Sequence, residues 1–187
     1  MKKIRIRNYS SHWPMLIAMA QVLKLQNVIE TGSGVYSTKL FLDRLWFKDL
    51  VCLCSVENNS EWYWRIRGEI ADQRHHYILS EGSVAETVAK IDLMDYDLIF
   101  IDDSKTGKER IDTIEAIISR KPRRPLVIHD FQYKGYQRAV QNHFENQVVY
   151  DKVPAAHCGL LWDGDVISQE DALRITTIMN SMDVEMS

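Results

Sequence analysis

The sequence predicts an α/β fold: a doubly wound, mostly parallel sheet of seven strands, with helices on both faces and an antiparallel strand pair near the C-terminus. Short apolar runs alternate with amphipathic segments along most of the chain, and strands that alternate with helices form parallel sheets. The strand runs are apolar on both faces, as expected of parallel strands. In residues 146–164 two strand-like runs follow each other without a helix, which predicts the antiparallel pair.

Each of the five strands before that pair is a run of apolar, β-branched or aromatic residues. They cover residues 27–31, 50–57, 75–82, 96–103 and 125–130. The helices are segments with apolar residues at helical spacing. They cover residues 15–25, 37–47, 60–73, 83–91, 108–120, 135–144 and 168–182. Ser11 is predicted to cap the first helix, with Pro14 in its first turn, and Ser60 to cap the third.

The 187 residues suit one domain. We divide it into an N-terminal helical segment (1–26), a core (27–165) and a C-terminal helix and tail (166–187). The net charge of −3 argues against a nucleic-acid partner. No run reaches the roughly 18 apolar residues of a membrane helix, and the N-terminus lacks the apolar stretch of a signal peptide. We therefore expect no membrane partner and a cytoplasmic protein.

Acidic and polar residues follow the predicted parallel strands. The carboxyl ends of parallel strands meet at one edge of the sheet, and ligands bind there, at the point where the strand order reverses. Each acid alone is typical of a helix start, but their joint placement predicts a pocket rich in carboxylates. The residues concerned are Glu30, Glu57, Glu81, Asp102, Asp103, His129 and Asp130.

The segment "VIETGSGVYST" places Glu30 just before two glycines, Gly32 and Gly34. Glycines at such a turn let a ligand approach the backbone closely. A dinucleotide site has a third glycine, at a position that Ser37 fills here. S-adenosylmethionine is the other nucleoside ligand that fits, because its ammonium and sulfonium groups favour nearby carboxylates. Glu57, at the end of the next strand, suits the ribose hydroxyls of either ligand.

Five motifs, in order, resemble those of class I S-adenosylmethionine-dependent methyltransferases, closest to the small-molecule and sugar O-methyltransferases. "VIETGSGVYST" resembles the first motif of that family and "SVENN" its ribose-binding motif. "LSEGSVAET" resembles the loop beside adenine, while "YDLIFIDDS" and "PLVIHDFQY" resemble the fourth- and fifth-strand motifs. The terminal strand pair is similar to the family's antiparallel hairpin, which dehydrogenase domains generally lack. The resemblance spans roughly residues 25–165 and implies a Rossmann-like sheet.

This resemblance implies S-adenosylmethionine as cofactor and assigns roles by position. Glu30 would hold the methionine ammonium, Glu57 would accept from the ribose hydroxyls, and Asp102 would lie near the sulfonium and the methyl acceptor. The implied cofactor-binding residues are Glu30, Thr31, Gly32, Ser33, Gly34, Ser37, Glu57, Asn58, Gly82, Ser83 and Asp102.

Asp102, Asp103 and His129 are the candidate catalytic residues, because a hydroxyl acceptor should lose its proton as it attacks. Histidine has the most suitable ordinary pKa for this task. Some sugar and catechol O-methyltransferases of the family use acids at the positions of Asp102 and Asp130 to hold a metal, and such oxygen ligands suit Mg²⁺. The fifth strand here ends His129-Asp130, where metal-dependent members often have two acids or an acid and an asparagine. Activation by a base and by Mg²⁺ therefore both stay open.

The resemblance implies O-methylation of a sugar, glycan or other small hydroxylated acceptor. Two alternatives are a catalytically inactive methyltransferase-like scaffold domain and, less favoured by the motifs, a nicotinamide-dependent oxidoreductase. Trp62 and Trp64 are interpreted as core or interface residues, which leaves a homodimer open.

Overall fold

The computed structural model describes residues 4–6, 8–104, 107–153 and 156–186. The strands in this part are β1 (Ile4–Ile6), β2 (Asn27–Thr31), β3 (Cys52–Glu57), β4 (His75–Leu79), β5 (Leu98–Ile101), β6 (Leu126–His129), β7 (Asn146–Tyr150), β8 (Cys158–Trp162) and β9 (Val184–Met186). The α-helices are α1 (Trp13–Val22), α2 (Ser37–Leu42), α3 (Ser60–Glu69), α4 (Val84–Val88), α5 (Gly107–Ile118), α6 (Lys134–Val140) and α7 (Gln169–Ser181). None of these helices has the length and apolarity needed to cross a bilayer.

Seven of the described strands form one sheet, in the order β4-β3-β2-β5-β6-β8-β7. Strands β2 to β6 are mutually parallel, whereas β8 is antiparallel to β6 and β7 is antiparallel to β8. The predicted mostly parallel sheet with its C-terminal antiparallel pair is confirmed. The chain runs outward in opposite directions from β2 and β5, so the loops after these two strands flank the crevice in which such sheets bind ligands.

Helices cover both faces of this sheet. On one face α1, α2 and α7 pack against side chains such as Val28 and Phe100. On the other face α4, α5 and α6 pack against side chains such as Ile29 and Ile128. Neighbouring residues of a strand therefore enter opposite apolar layers, which explains why the strands read as continuous apolar runs.

Helix α1 is part of the interior, and its residues 15–19 have no exposed surface. The prediction that Ser11 caps this helix is wrong. The helix begins after His12, and the side chain of His12 makes no capping hydrogen bond. Ser11 hydrogen-bonds to His129 at the end of β6 instead. The short parallel pair of β1 and β9 escaped prediction because three-residue strands carry too little periodicity.

Several helix boundaries also differ from prediction, including those of α2 and α3. Helix α2 ends at Leu42 rather than at residue 47, because the carboxylate of Asp43 accepts the Leu45 N–H and turns the chain. Helix α3 begins with Ser60 as its first residue, and Asn59 is the cap, accepting the N–H of Trp62.

Gly32 lies where the end of β2 meets the end of β5. Its φ of +77° is in the left-handed region, which favours glycine. A Cβ at this position would lie 2.5 Å from the backbone oxygen of Asp102 and 2.7 Å from Cα of Asp103. The close approach of two strand ends therefore requires glycine at position 32, in addition to any requirement of a ligand.

Gly32→Ala is expected to lower the free energy of unfolding by more than about 1 kcal/mol, because it adds left-handed backbone strain to a backbone clash. Gly68→Ala is the matched control. A Cβ at Gly68 in α3 meets no atom within 4 Å, so this change should stabilise the helix by about 0.5–1 kcal/mol. Urea unfolding of both variants gives the two values, and equal effects of the same sign would contradict this account.

Candidate active site

The guanidinium of Arg110, on α5, ties together the ends of β5 and β6. It donates hydrogen bonds to the backbone oxygens of Asp103 at 2.7 Å and His129 at 3.2 Å. It also contacts the carboxylates of Asp102 at 3.0 Å and Asp130 at 3.2 Å. Arg110 is only 5% exposed, and its rigid fork of N–H donors suits several acceptors at once. It thus fixes the two strand ends that carry the candidate catalytic residues.

His129 is the centre of a hydrogen-bonded chain across this site. Its Nδ1 lies 3.0 Å from Oδ1 of Asp102, and its Nε2 lies 2.7 Å from Oγ of Ser11. Because the carboxylate of Asp102 can only accept, Nδ1 carries the proton, and Nε2 of a neutral ring accepts from the Ser11 hydroxyl. The hydrogen bonds from Ser11 to His129 and from His129 to Asp102 have the order of a Ser-His-Asp triad. However, Ser11 has no exposed surface, so no substrate reaches it in this conformation.

Neighbouring charges lower the pKa of Asp102 and raise the pKa of His129. Burial raises the pKa of Asp102, but His129 and Arg110 outweigh that effect and hold it below its ordinary value. Burial lowers the pKa of His129, but the carboxylates of Asp102 and Asp130 outweigh that effect and raise it. For the neighbouring His12, burial and the charge of His129 lower the pKa to about 3. The contact between Asp102 and His129 thus stabilises the charged form of each side chain, whereas the surroundings of His12 favour its neutral form.

Asp103, the third catalytic candidate, has both carboxylate oxygens engaged by threonine hydroxyls. Thr31 and Thr113 each donate to it at 2.8 Å. Burial raises the pKa of Asp103, and its exposed fraction is 1%. These contacts join the end of β2 to α5, so the geometry gives Asp103 and Thr31 an anchoring role.

The carboxyl group of Glu30 is buried with one oxygen satisfied and one oxygen open. Oε1 accepts from Thr38 Oγ1 and Ser55 Oγ, both at 2.6 Å, whereas Oε2 makes no hydrogen bond with any described residue. Burial raises the pKa of Glu30 to about 7, because the hydroxyl hydrogen bonds only partly offset desolvation. The N–H of Gly34 donates to Thr38 Oγ1 at 3.0 Å, so the glycine loop is linked to this carboxyl group.

Glu57 anchors the other side of the glycine loop. Its Oε2 accepts from the N–H and the hydroxyl of Ser33 at 3.0 and 3.1 Å. Its Oε1 accepts from the N–H groups of Asn58 and Asn59 at 3.0 and 2.9 Å. The indole N–H of Trp62 donates to the carbonyl of Ser33. The loop after β2 is therefore held against the end of β3, where the resemblance places the ribose.

Three further predicted cofactor residues lie in the loop after β4 or at the start of α2. Ser83 caps α4 by accepting the N–H of Glu86 at 3.2 Å. Ser80 donates to the carbonyls of Gly82 and Ser83 and so fixes the loop after β4. Ser37, the first residue of α2, is nearly buried. The structure thus brings the predicted residues to one edge of the sheet and adds Ser11, His12 and Arg110, which strand-end reasoning did not select.

The chain has the fold of class I S-adenosylmethionine-dependent methyltransferases. No protein-family model and no curated protein sequence matches the chain.

Several solved structures are similar to this chain. A putative caffeoyl-CoA O-methyltransferase from Staphylococcus aureus superimposes with a TM-score of 0.61 at 16% identity, covering 85% of each chain. Human methyltransferase-like protein 13, in complex with S-adenosylhomocysteine, gives 0.63 at 14% identity, covering 91% of this chain and 90% of that one. Precorrin-6y C5,15-methyltransferase from Geobacter metallireducens gives 0.56 at 14% identity, covering 80% and 87%. At these identities the likeness establishes the fold.

Arg110→Met is expected to lower the free energy of unfolding by about 3–5 kcal/mol, because it leaves Asp102 and Asp130 without their buried cation. Arg110→Lys should recover only part of this loss, since an ammonium cannot reproduce the fork of contacts. Arg65→Met removes an exposed pair with Glu69 and should change stability by less than about 1 kcal/mol. Urea unfolding gives the free energy of unfolding of the three variants. A loss for Arg110→Met no larger than that for Arg65→Met would contradict the role of Arg110 in holding the two strand ends together.

Glu30→Gln is expected to stabilise the protein increasingly as pH rises from about 4.5 to about 7, the ordinary and the folded pKa of Glu30. In that window the unfolded carboxyl group ionises while the folded one keeps its proton, so the wild type loses stability as pH rises. The variant does not titrate there. Thermal unfolding of both proteins at pH 5 and pH 8 measures the difference, and a difference independent of pH would contradict the raised pKa.

Proposed function

We propose that this chain is an S-adenosylmethionine-dependent methyltransferase that transfers a methyl group to a hydroxyl of a small acceptor such as a sugar or glycan unit. The observation that carries the proposal is the open, buried Oε2 of Glu30 beside the glycine loop, at the point where the strand order reverses. A buried acceptor without a partner is unfavourable, and the ammonium of the methionine end would satisfy it.

The residues present fit this cofactor. Glu30 would bind the ammonium, and Glu57 would accept from the ribose hydroxyls once the Ser33 hydroxyl yields its place. At Gly34 a Cβ would meet its nearest neighbour, Ser37 Oγ, only at 3.6 Å, so the protein itself leaves this position free and the space would serve the cofactor. The loop through Gly82 and Ser83 would border adenine.

S-adenosylmethionine supplies an electrophilic methyl group when it is bound. His129 would accept the acceptor's hydroxyl proton at Nε2 in its neutral form, with the acceptor oxygen taking the position of Ser11 Oγ once the turn that carries Ser11 has moved away. Asp102 would hold the ring in the correct tautomer and stabilise the imidazolium that forms, as a carboxylate does for a catalytic histidine. Arg110 would keep Asp102 ionised and in place.

Mg²⁺ between Asp102 and Asp130 is the alternative route of activation. The guanidinium of Arg110 already contacts both carboxylates, so a magnesium ion bound between them would have to displace it, which favours the Asp102–His129 pair. The preference for a small acceptor is supported by the enclosure of the site, since His129 is nearly buried and a large acceptor would have to displace packed residues.

Calorimetric titration with S-adenosylhomocysteine tests the proposal. Wild type should bind one equivalent, and Gly34→Ala should weaken binding by at least about tenfold, roughly 1.4 kcal/mol, because its methyl group fills space left for the ligand. Gly68→Ala, on the exposed side of α3, is the control and should bind as wild type does. An absence of binding to wild type at millimolar ligand would reject the cofactor and favour the scaffold alternative.

A further inference from the structure

The imidazole of His12 is enclosed without a hydrogen-bond partner. Both ring nitrogens are buried and make no hydrogen bond with any described residue, and the residue has no exposed surface. Leaving buried polar atoms unpaired is unfavourable. The ring packs edge-on against His129, with centroids 5.0 Å apart. An unused nitrogen ligand therefore lies beside the Asp102–His129 pair.

We propose that His12, Asp102 and His129 form a binding site for a divalent first-row transition-metal ion such as Zn²⁺ or Fe²⁺. One potential ligand atom from each residue lies within 4.8 Å of the other two. Ligand atoms about 2.0–2.2 Å from Zn²⁺ are roughly 3–4 Å apart, so small side-chain rotations complete the site. Two imidazoles and one carboxylate are the ligand set of hydrolytic zinc and non-haem iron centres.

The charges around these three residues suit a dication. Asp102 and Asp130 carry two negative charges, and Arg110, which contacts both, carries one positive charge. With both histidines neutral the cluster thus has one excess negative charge. An ion would take the place of the proton that Nδ1 of His129 shares with Asp102 across 3.0 Å, and metal binding generally releases such protons.

The choice between metals follows from the donor atoms. Imidazole nitrogen suits zinc, iron and cobalt, whereas Mg²⁺ prefers oxygen ligands in octahedral geometry. This site therefore differs in residues and in metal class from a magnesium site at Asp102 and Asp130. With the ion bound, the metal and not His129 would activate an acceptor hydroxyl, by lowering the pKa of the bound oxygen. That role rests on the proposed function, but the binding itself does not.

A bound ion would also join the N-terminal segment to the sheet. His12 directly precedes α1, whereas Asp102 and His129 lie at the ends of β5 and β6. The metal would add to the hydrogen bond between Ser11 and His129 and would slow local opening of residues 8–13. This gives the proposal a readout that is independent of catalysis.

The test uses the full chain without a histidine tag, stripped of metal with a chelator. Co²⁺ is titrated and followed by its visible d–d absorption, and Zn²⁺ affinity is measured by competition. Wild type should bind one equivalent, and His12→Gln should lower affinity by more than about 100-fold. His76→Gln removes an exposed histidine on β4 and should leave affinity unchanged.

Hydrogen exchange is measured in parallel, and Zn²⁺ should slow exchange in residues 8–13 of wild type but not of His12→Gln. Urea unfolding verifies that His12→Gln folds, and Asp102→Asn gives a second ligand variant with the same expected loss. Failure of wild type to bind Co²⁺ or Zn²⁺, or equal binding by His12→Gln, would overturn the proposal. So would Mg²⁺ binding that Asp130→Asn abolishes and His12→Gln leaves intact. Calorimetry with S-adenosylhomocysteine on the same samples reports the cofactor separately.

Discussion

One buried guanidinium sets the geometry on which the rest of the site depends. Arg110 gathers two carboxylates and three backbone oxygens at the ends of adjacent strands. Removing a guanidinium from water is unfavourable, and only several well-placed acceptors offset that loss. Asp102 and Asp130 therefore cannot move independently of each other or of α5. The orientation of His129 follows, because Asp102 fixes its ring.

The opposite side of the crevice is held by hydroxyl groups and backbone amides. Thr38 links Gly34 to Glu30, and Glu57 accepts from the loop through Ser33. The carboxyl group of Glu30 reduces stability whenever it ionises without a partner. A ligand carrying an ammonium group would remove this unfavourable term. Glu30 thus lowers the stability of the protein by itself and would strengthen the binding of a ligand that carries an ammonium group.

Sequence reasoning predicted the sheet because parallel strands have a strong signal: continuous apolar runs that end in polar residues. It located Glu30, Glu57, Asp102 and His129 because the carboxyl ends of such strands must meet at one edge. It could not select Arg110, which lies within a helix and looks like any basic residue of a solvated face. Contacts between distant parts of the chain leave no local periodicity.

The N-terminal part of the site shows the same limit. Ser11 has the residue type and position of a helix cap, and the structure uses its hydroxyl for His129, 118 residues away. His12 is followed by an apolar segment and carries no local sign that both of its nitrogens are enclosed. A local rule ranks the residues that suit a role, but the tertiary fold decides which of them fills it.

The burial of α1 has a consequence for how ligands enter and leave. A helix whose residues 15–19 are wholly enclosed cannot swing aside as a lid without unfolding part of the core. Passage to His129 on that side must then use fraying of the short turn at residues 8–12, which is attached at one end to an immobile helix. The residence time of a molecule bound at His129 would then be governed by that fraying, and hence by the packing of the neighbouring helix.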